Sequence, residues 1–227
     1  MKSRSPGALP VEVYRPDDAR DGVPVVVLLH GRGADRTDLF SLRHSLPRTW
    51  AVVAPDAPFP AAPWGYGPGR AWYRYLGGTT PEPESFAESI SVIEQLLKEL
   101  PATLGREPGT IALGGFSQGG TVSLAFALTH PDVVLNVLNF SGFLADHPAV
   151  TASPESVRNA RIFWGHGTGD PAIPFAFAVA GRGALRAAGA DLQTRDYDMG
   201  HSISSEELAD AVTWLSQGPT IGRDRES

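Results

Sequence analysis

Continuous apolar runs alternate along the chain with stretches whose apolar residues recur at helical spacing. Residues 23–29 and 50–54 are nearly all apolar or β-branched, which is typical of strands buried on both faces of a parallel sheet. Residues 11–14 alternate between apolar and polar side chains, which predicts an edge strand. Four more runs have strand character, at residues 110–113, 133–140, 161–164 and 192–197.

Helices are predicted between these strands. Asp35 is placed to cap a helix that runs to about residue 46, and residues 84–100 carry apolar side chains on one helical face. Further helices are predicted at residues 121–128, 175–188 and 205–215. Because strands and helices alternate, we expect an α/β architecture with a mostly parallel central sheet and helices on both faces. Such sheets carry their functional sites in the loops at the carboxyl ends of the strands.

Length, charge and composition restrict the classes of protein to which this chain can belong. The chain has the length of one domain with a substantial core, which we expect to span residues 1–217, followed by a polar, frayed tail at 218–227. A formal net charge of −6 without a long basic run argues against nucleic-acid binding. The absence of cysteine excludes disulfides, thiolate metal sites and a cysteine nucleophile.

The amino terminus and the hydropathy of the chain predict its location. Residues 1–7 include basic side chains, but no apolar segment follows them as in a signal peptide. The sequence has no apolar run long enough to span a membrane. We therefore expect a cytoplasmic protein without stable membrane insertion, in keeping with the lack of disulfides.

The longest segment without periodicity, residues 56–83, is rich in proline, glycine and aromatic residues. A loop of this length in a compact domain is usually functional or disordered, and its aromatic content argues against disorder. Its large side chains could line an acyl or alcohol pocket or simply pack the loop onto the domain; they are Trp64, Tyr66, Trp72, Tyr73 and Leu76. The sequence leaves open whether this loop moves as a lid.

One short motif carries the candidate chemistry. Gly115-Phe116-Ser117-Gln118-Gly119 reads G-x-S-x-G between a predicted strand and a predicted helix, which is the context of a nucleophile elbow. Such a turn is so tight that Ser117 must take a strained backbone conformation, and the flanking glycines remove side chains that would clash. The alternative is a glycine-rich turn with an incidental serine.

A serine nucleophile needs a base and an orienting acid, which in α/β-hydrolases follow it in the order acid, then histidine. Of the four histidines after Ser117, only His201 lies in the loop after the last predicted strand; the others are His130, His147 and His166. Asp170, just beyond a predicted strand, is the favoured acid. Asp198 is the second candidate because it is close to His201 in sequence, but we interpret it as a loop or helix-cap carboxylate.

An oxyanion hole requires two backbone N–H groups. One is expected from Gln118, the residue after the nucleophile, and the other from the loop after the 23–29 strand. That loop reads His30-Gly31-Arg32-Gly33, and Arg32 is the expected main-chain donor. The alternative reading is a plain strand-to-helix turn with a solvated Arg32 side chain.

Four segments, in this order, resemble the phospholipase/carboxylesterase family of α/β-hydrolases, which includes the acyl-protein thioesterases. They are residues 29–33, 114–120, 165–174 and 200–201. The resemblance implies an α/β-hydrolase fold without a large cap domain and a bacterial-type carboxylesterase. It implies a triad of Ser117, Asp170 and His201, and oxyanion donors Arg32 and Gln118. Eukaryotic thioesterases of the family usually carry an apolar residue where Arg32 stands, which favours small soluble esters as substrates.

These observations predict a serine carboxylesterase that hydrolyses short- to medium-chain or aryl esters through an acyl-enzyme. The partner would be a small-molecule ester, no cofactor or metal is needed, and the protein would be a monomer or a homodimer. Within enzymes, the alternatives are an acyl-thioesterase, a lysophospholipase or, less favoured, a peptidase. Outside enzymes, the alternative is a hydrolase-fold binding protein, which would require a broken triad or a blocked elbow.

Overall fold

A computed structural model describes residues 9–218, and its centre is a seven-stranded sheet. The strands are β1 (Val11–Tyr14), β2 (Val23–Leu29), β3 (Ala51–Pro55), β4 (Pro108–Phe116), β5 (Asn136–Phe140), β6 (Arg161–Gly167) and β7 (Asp191–Tyr197). Their order across the sheet is β1-β3-β2-β4-β5-β6-β7. In this sheet β1 pairs antiparallel with β3 and all other pairs are parallel, so the predicted edge strand and parallel sheet are both confirmed.

The helices lie between successive parallel strands, except for the last one, which follows the last strand. They are α1 (Arg36–Phe40), α2 (Pro83–Lys98), α3 (Leu100–Leu104), α4 (Gln118–Thr129), α5 (Pro154–Val157), α6 (Phe175–Ala187) and α7 (Ser205–Ser216). Asp35 caps α1 by accepting the N–H of Thr37 at 2.8 Å, as predicted. The helix is shorter than predicted because it passes into a 3₁₀ turn at Ser41–Ser45. Between residues 9 and 218, no helix has both the length and the apolar character that a membrane crossing requires.

Apolar side chains fill both faces of the sheet, because successive residues of a strand point to opposite sides. In β2, Val25 and Val27 face a cluster that includes side chains of α2, α4 and α6. Val26 and Leu28 face a second cluster with side chains of α1 and α7. The predicted α/β architecture, with helices on both faces, is therefore confirmed.

The strand order places a crevice between β2 and β4. From β2 the chain moves to β3 on one side, whereas from β4 it moves through β5 and β6 to β7 on the other. The loops that leave the carboxyl ends of β2 and β4 therefore diverge, and such a switch point is where open α/β sheets bind ligands.

Two strand boundaries differ from the predicted ones. Residues 131–135 form turns and bends, so β5 begins at Asn136 rather than at 133, and Val133 and Leu135 are exposed. Strand β6 continues past 164 to Gly167, where its backbone pairs with Tyr197 of β7.

The 56–83 segment contains more local structure than its composition predicts. Two short hairpins form, one from Phe59–Pro60 with Arg70–Ala71 and one from Tyr75–Gly77 with Thr80–Pro81. Trp72 and Tyr73, between the hairpins, are fully buried. The indole N–H of Trp72 donates to the carbonyl oxygen of His30 at 2.9 Å, which attaches the segment to the end of β2.

Candidate active site

Ser117 sits in a strained turn between β4 and α4. Its φ and ψ angles are 55° and −114°, a conformation that L-residues rarely adopt, and its N–H donates to the Phe140 carbonyl at 2.8 Å. A Cβ on Gly119 would overlap the carbonyl oxygen of Leu29, and one on Gly115 would overlap the backbone of Gly119. The strained serine and the crowded glycines are those that the G-x-S-x-G motif predicts.

The three predicted triad residues meet although they lie on three separate loops. Ser117 Oγ is 2.9 Å from His201 Nε2, and His201 Nδ1 is 2.7 Å from Asp170 Oδ2. Because the carboxylate accepts, Nδ1 carries the proton and the unprotonated Nε2 faces the serine hydroxyl. This arrangement can remove a proton from Ser117.

Both carboxylate oxygens of Asp170 accept hydrogen bonds. Oδ2 faces His201, and Oδ1 accepts the N–H groups of Ala172 and Ile173, each at 2.8 Å. The side chain is fully shielded from solvent. Asp198, by contrast, is exposed, and within the described residues it makes no hydrogen bond to His201.

The loops after β6 and β7 are bonded to each other, which positions the imidazole. The N–H of Gly169 donates to the Met199 carbonyl at 3.1 Å. A Cβ on Gly167 would overlap the Gly200 carbonyl oxygen, so the two loops approach as closely as backbone allows. On the other side, the ring of Phe116 packs against His201 with centroids 4.6 Å apart.

The two predicted oxyanion donors lie beside Ser117. Gln118 is the first residue of α4, so its N–H has no partner within the helix, and the positive end of the helix dipole is here. Between residues 9 and 218, neither this N–H nor that of Arg32 meets a hydrogen-bond acceptor. Both residues line the same cavity as Ser117.

The side chain of Gln118 has a role that sequence reasoning missed. Its amide oxygen accepts the backbone N–H of Trp72 at 3.1 Å, and its amide nitrogen donates to the Tyr73 carbonyl at 2.9 Å. The elbow helix therefore holds the 56–83 segment by two hydrogen bonds. No local sequence signal identifies such a contact between residues far apart in the chain.

His30 supports the loop of Arg32 from within the core. Its Nε2 accepts the N–H of Ala57 at 3.0 Å, so Nδ1 carries the proton and donates to the Gly31 carbonyl at 2.7 Å. Burial lowers the pKa of His30, which keeps the ring neutral and able to accept. In the sequence, the only indication of this role is that His30 directly precedes Gly31.

His166, the other histidine near Asp170, lies in a different environment. It is fully buried; its Nε2 donates to the Ile173 carbonyl at 2.9 Å and is 3.6 Å from Asp170 Oδ2. Burial lowers its pKa. His130 stacks on Phe126 at the end of α4, away from these loops. The contact to the serine is made by His201.

A cavity of about 190 Å³ opens above Ser117 and His201. Its remaining wall is largely aromatic and apolar, with Tyr73, Tyr75, Phe143 and Ile173 among its lining residues. Of the large loop side chains predicted as pocket candidates, Tyr73 is the one that lines this cavity. Trp72 is buried against His30, Trp64 packs against Phe59 and Tyr66, and Leu76 is exposed.

A second buried carboxyl lies behind the site, on the opposite side of β6. Glu207, in the first turn of α7, is fully buried and packs against Gly165. Within the described part of the chain, neither of its carboxyl oxygens has a hydrogen-bond partner. Burial raises the pKa of Glu207 to about 8, so the group is largely protonated at neutral pH.

A model of the phospholipase/carboxylesterase family matches residues 11–218. The chain belongs to that family. The predicted family and the predicted hydrolase class are thereby confirmed, together with the α/β-hydrolase fold.

Individual relatives agree with this assignment. A probable carboxylesterase of Oryza sativa subsp. japonica is 36% identical over 126 residues, 54% of this chain, but the match spans only 47% of the relative. Acyl-protein thioesterase 1 of Kluyveromyces lactis is 29% identical over 211 residues, 85% of this chain and 91% of the relative. The crystal structure of esterase PE8 superposes with a TM-score of 0.76 at 25% identity, covering 93% of this chain and 99% of that one.

Proposed function

We propose that the protein is a serine carboxylesterase that hydrolyses small carboxylic esters through an acyl-enzyme. The observation that carries the proposal is the hydrogen-bonded chain from Ser117 through His201 to Asp170, with the serine hydroxyl facing an open cavity. A nucleophile, a base and an acid in this relation are what acyl transfer requires. Membership of the phospholipase/carboxylesterase family supports the same reaction class.

The first half of the reaction acylates Ser117. Its Oγ attacks the ester carbonyl carbon while His201 Nε2 takes the hydroxyl proton. The imidazolium that forms keeps its Nδ1–H bonded to Asp170, whose negative charge stabilises it. When the tetrahedral intermediate collapses, Nε2 returns the proton to the departing alcohol, and the acyl group remains on the serine.

Charge on the carbonyl oxygen is stabilised by the backbone N–H groups of Arg32 and Gln118. Both groups are without an acceptor among the described residues, and the Gln118 N–H adds the positive end of α4. A single donor of this kind typically contributes about 10²–10³ in turnover. In the second half of the reaction, water replaces the alcohol, His201 again acts as the base, and the acid product leaves.

The size of the cavity favours a short acyl group or a compact alcohol. About 190 Å³ is less than the roughly 300–1,000 Å³ of typical pockets for drug-sized ligands. The second candidate is thioester hydrolysis, which the same groups can perform. It is supported by the similarity to a relative named acyl-protein thioesterase 1 over most of both chains.

The test is hydrolysis of p-nitrophenyl esters from acetate to palmitate by the wild type and by Ser117→Ala. We expect a maximum at short chains and a loss of about 10⁶-fold in the variant, since the nucleophile is removed. Ser216→Ala, which changes an exposed serine on α7, is the matched control and should keep full activity. A fluorophosphonate probe should label the wild type and Ser216→Ala but not Ser117→Ala.

Other outcomes would redirect or reject the proposal. A maximum at long chains would favour a lysophospholipase or an acyl-thioesterase, which a palmitoyl-CoA assay would then separate. Lack of turnover and of probe labelling by a protein with a cooperative thermal transition would reject the serine hydrolase mechanism.

A further inference from the structure

A cation without an acidic partner faces the cavity above Ser117. Arg32 lines this cavity, and within residues 9–218 its side chain makes neither an ion pair nor a hydrogen bond. Its contact is with an aromatic ring: the guanidinium carbon lies 4.6 Å from the centroid of Tyr66. Stacking on a ring leaves the N–H groups of the guanidinium available to another acceptor.

Neighbouring arginines on the same side of the sheet are used structurally. Arg36 pairs with Asp56 at 2.8 Å and with Glu12 at 3.3 Å. Arg70 donates to two backbone carbonyls, at 2.8 and 2.7 Å. Unlike these two side chains, the Arg32 guanidinium makes no ion pair and no hydrogen bond with the described residues. It lies on the cavity wall, where a ligand can contact it.

The support of Arg32 is itself fixed in place. The Tyr66 hydroxyl accepts the N–H of Tyr75 at 2.7 Å, which holds the ring on which the guanidinium stacks. Next to Arg32, the N–H of Gly33 donates to the Arg70 carbonyl at 2.8 Å. A Cβ on Gly33, whose φ is 82°, would overlap the Tyr66 carbonyl oxygen, so the two segments are closely packed. The ring and the loop backbone that support Arg32 are therefore fixed, and its guanidinium lies against that ring at the cavity.

We propose that the preferred substrates are esters that carry a second, anionic group, a carboxylate, which the Arg32 guanidinium receives at the mouth of the cavity. The substrate class is then short esters with a carboxylate on the acyl or the alcohol side, that is, half-esters of dicarboxylic acids or acylated hydroxy acids. This inference rests on the proposed function and adds a specificity residue to it. Arg32 contributes twice, through its backbone N–H to the oxyanion and through its side chain to the distant carboxylate.

The experiment compares esters that differ in one charge and hardly in size. Monoethyl glutarate is paired with ethyl glutaramate, in which a carboxamide replaces the carboxylate. A second pair, acetoxyacetate and acetoxyacetamide, places the same difference on the alcohol side. The readout is the ratio of kcat/KM values within each pair, measured by pH-stat at low and at physiological salt for the wild type and Arg32→Gln. A loss of activity common to both esters cancels in this ratio.

We expect the wild type to prefer the carboxylate of at least one pair by about 10- to 100-fold, the range that a charge-assisted hydrogen bond supplies. Arg32→Gln should bring the ratio close to one. Added salt should reduce the wild-type preference, because Arg32 is exposed at the cavity mouth. Arg186→Gln removes an equal charge from an exposed site on α6 and should leave the ratio unchanged.

The results distinguish this inference from the function on which it rests. Ratios near one for both wild-type pairs, or a preference that survives Arg32→Gln, would overturn the inference while leaving ester hydrolysis intact. Turnover of p-nitrophenyl acetate without turnover of either carboxylate ester would also overturn it. A wild type that hydrolyses neither these esters nor p-nitrophenyl acetate would instead contradict the proposed function.

Discussion

Asp170 and Glu207 are both shielded from water at the same end of β6, yet they are bonded in opposite ways. Asp170 accepts three N–H donors, two from its own loop and one from His201. No described residue donates to Glu207 in good hydrogen-bond geometry; burial raises its pKa to about 8, although the Ser204 backbone and the Arg182 charge act in the opposite direction. Two equally shielded carboxyl groups therefore differ in how well their oxygens are supplied with hydrogen-bond donors.

The two carboxyl groups differ because of the elements that carry them. Asp170 lies in a tight loop whose successive N–H groups converge on its side chain. Glu207 lies in the first turn of α7, where its own N–H is taken by the Ser204 hydroxyl at 3.0 Å and its side chain turns inward against the sheet. One position suits an anion that stabilises an imidazolium, and the other suits a neutral acid.

Among the changes that test this comparison, replacing the bonded carboxylate of Asp170 should have the largest effect. Asp170→Asn should lower kcat for a short ester by about 10⁴-fold, because an amide favours the wrong tautomer of His201. Stopped assays with a titrated active-site concentration would measure this loss. Asp198→Asn, the same change at an exposed position, is the control and should keep activity within a few-fold. A loss below tenfold for Asp170→Asn would refute its assignment as the acid.

The corresponding change at the other carboxyl, Glu207→Gln, should alter the stability of the protein rather than its turnover. The folded pKa of Glu207, about 8, is above the ordinary value of 4.5, so between these values the folded protein holds a proton that the unfolded chain has lost. The free energy of unfolding should therefore fall as pH rises through this window, by at most on the order of 5 kcal/mol. Glu207→Gln should remove this fall and leave kcat nearly unchanged.

Urea titrations at pH 5, 7 and 9 would measure the effect of Glu207→Gln. The control is Glu206→Gln, the exposed acid one position earlier, which should follow the wild-type pH dependence. Parallel stability curves for wild type and Glu207→Gln would mean that the carboxyl is solvated or paired in solution.

A methyl group placed between the strand and this acid should have a smaller effect. Gly165→Ala would overlap the Glu207 carboxyl and should destabilise the fold by about 1–3 kcal/mol. The double variant with Glu207→Ala should recover part of that loss in a double-mutant cycle. Gly183→Ala on α6, where no atom obstructs a Cβ, should be neutral or stabilising. Equal losses with and without the Glu207 side chain would contradict the contact.

The smallest effect is expected at the second histidine near Asp170. His166→Gln can retain a donor toward the Ile173 carbonyl and should cost about 1 kcal/mol in stability and less than tenfold in kcat. His201→Gln should be nearly inactive in the same assay. Comparable losses in the two variants would mean that His166 takes part in proton transfer.

The parts of the site set by local chemistry could be predicted from the sequence. The strain at Ser117 follows from a glycine-flanked serine between a strand and a helix, and the position of His201 follows from chain order. The strand beyond residue 164 was missed because Gly165 and Gly167 disfavour strands, and their pairing depends on β7. Bonds between distant segments, such as those of His30 and the Gln118 side chain, leave no local pattern.

Glu207 shows the limit of such reasoning most clearly. In the sequence it is one of two acids in the first turn of a helix, where acidic residues normally face solvent. Its burial depends on the absence of a side chain at Gly165, on a different element of the fold. The residue pattern along one helix cannot show that a neighbouring strand has a glycine, and therefore space for a side chain, at the point of contact.

The hydrogen bonds that attach Trp72 and Tyr73 affect how substrate reaches the cavity and how product leaves it. Their backbone is bonded to the Gln118 side chain, and the Trp72 indole is bonded to the loop end at His30. A swing of this segment would break the contacts that hold both oxyanion donors. We therefore expect substrate to enter and product to leave without a movement of this segment. Turnover should follow the chemistry of each ester, with little sensitivity to solvent viscosity.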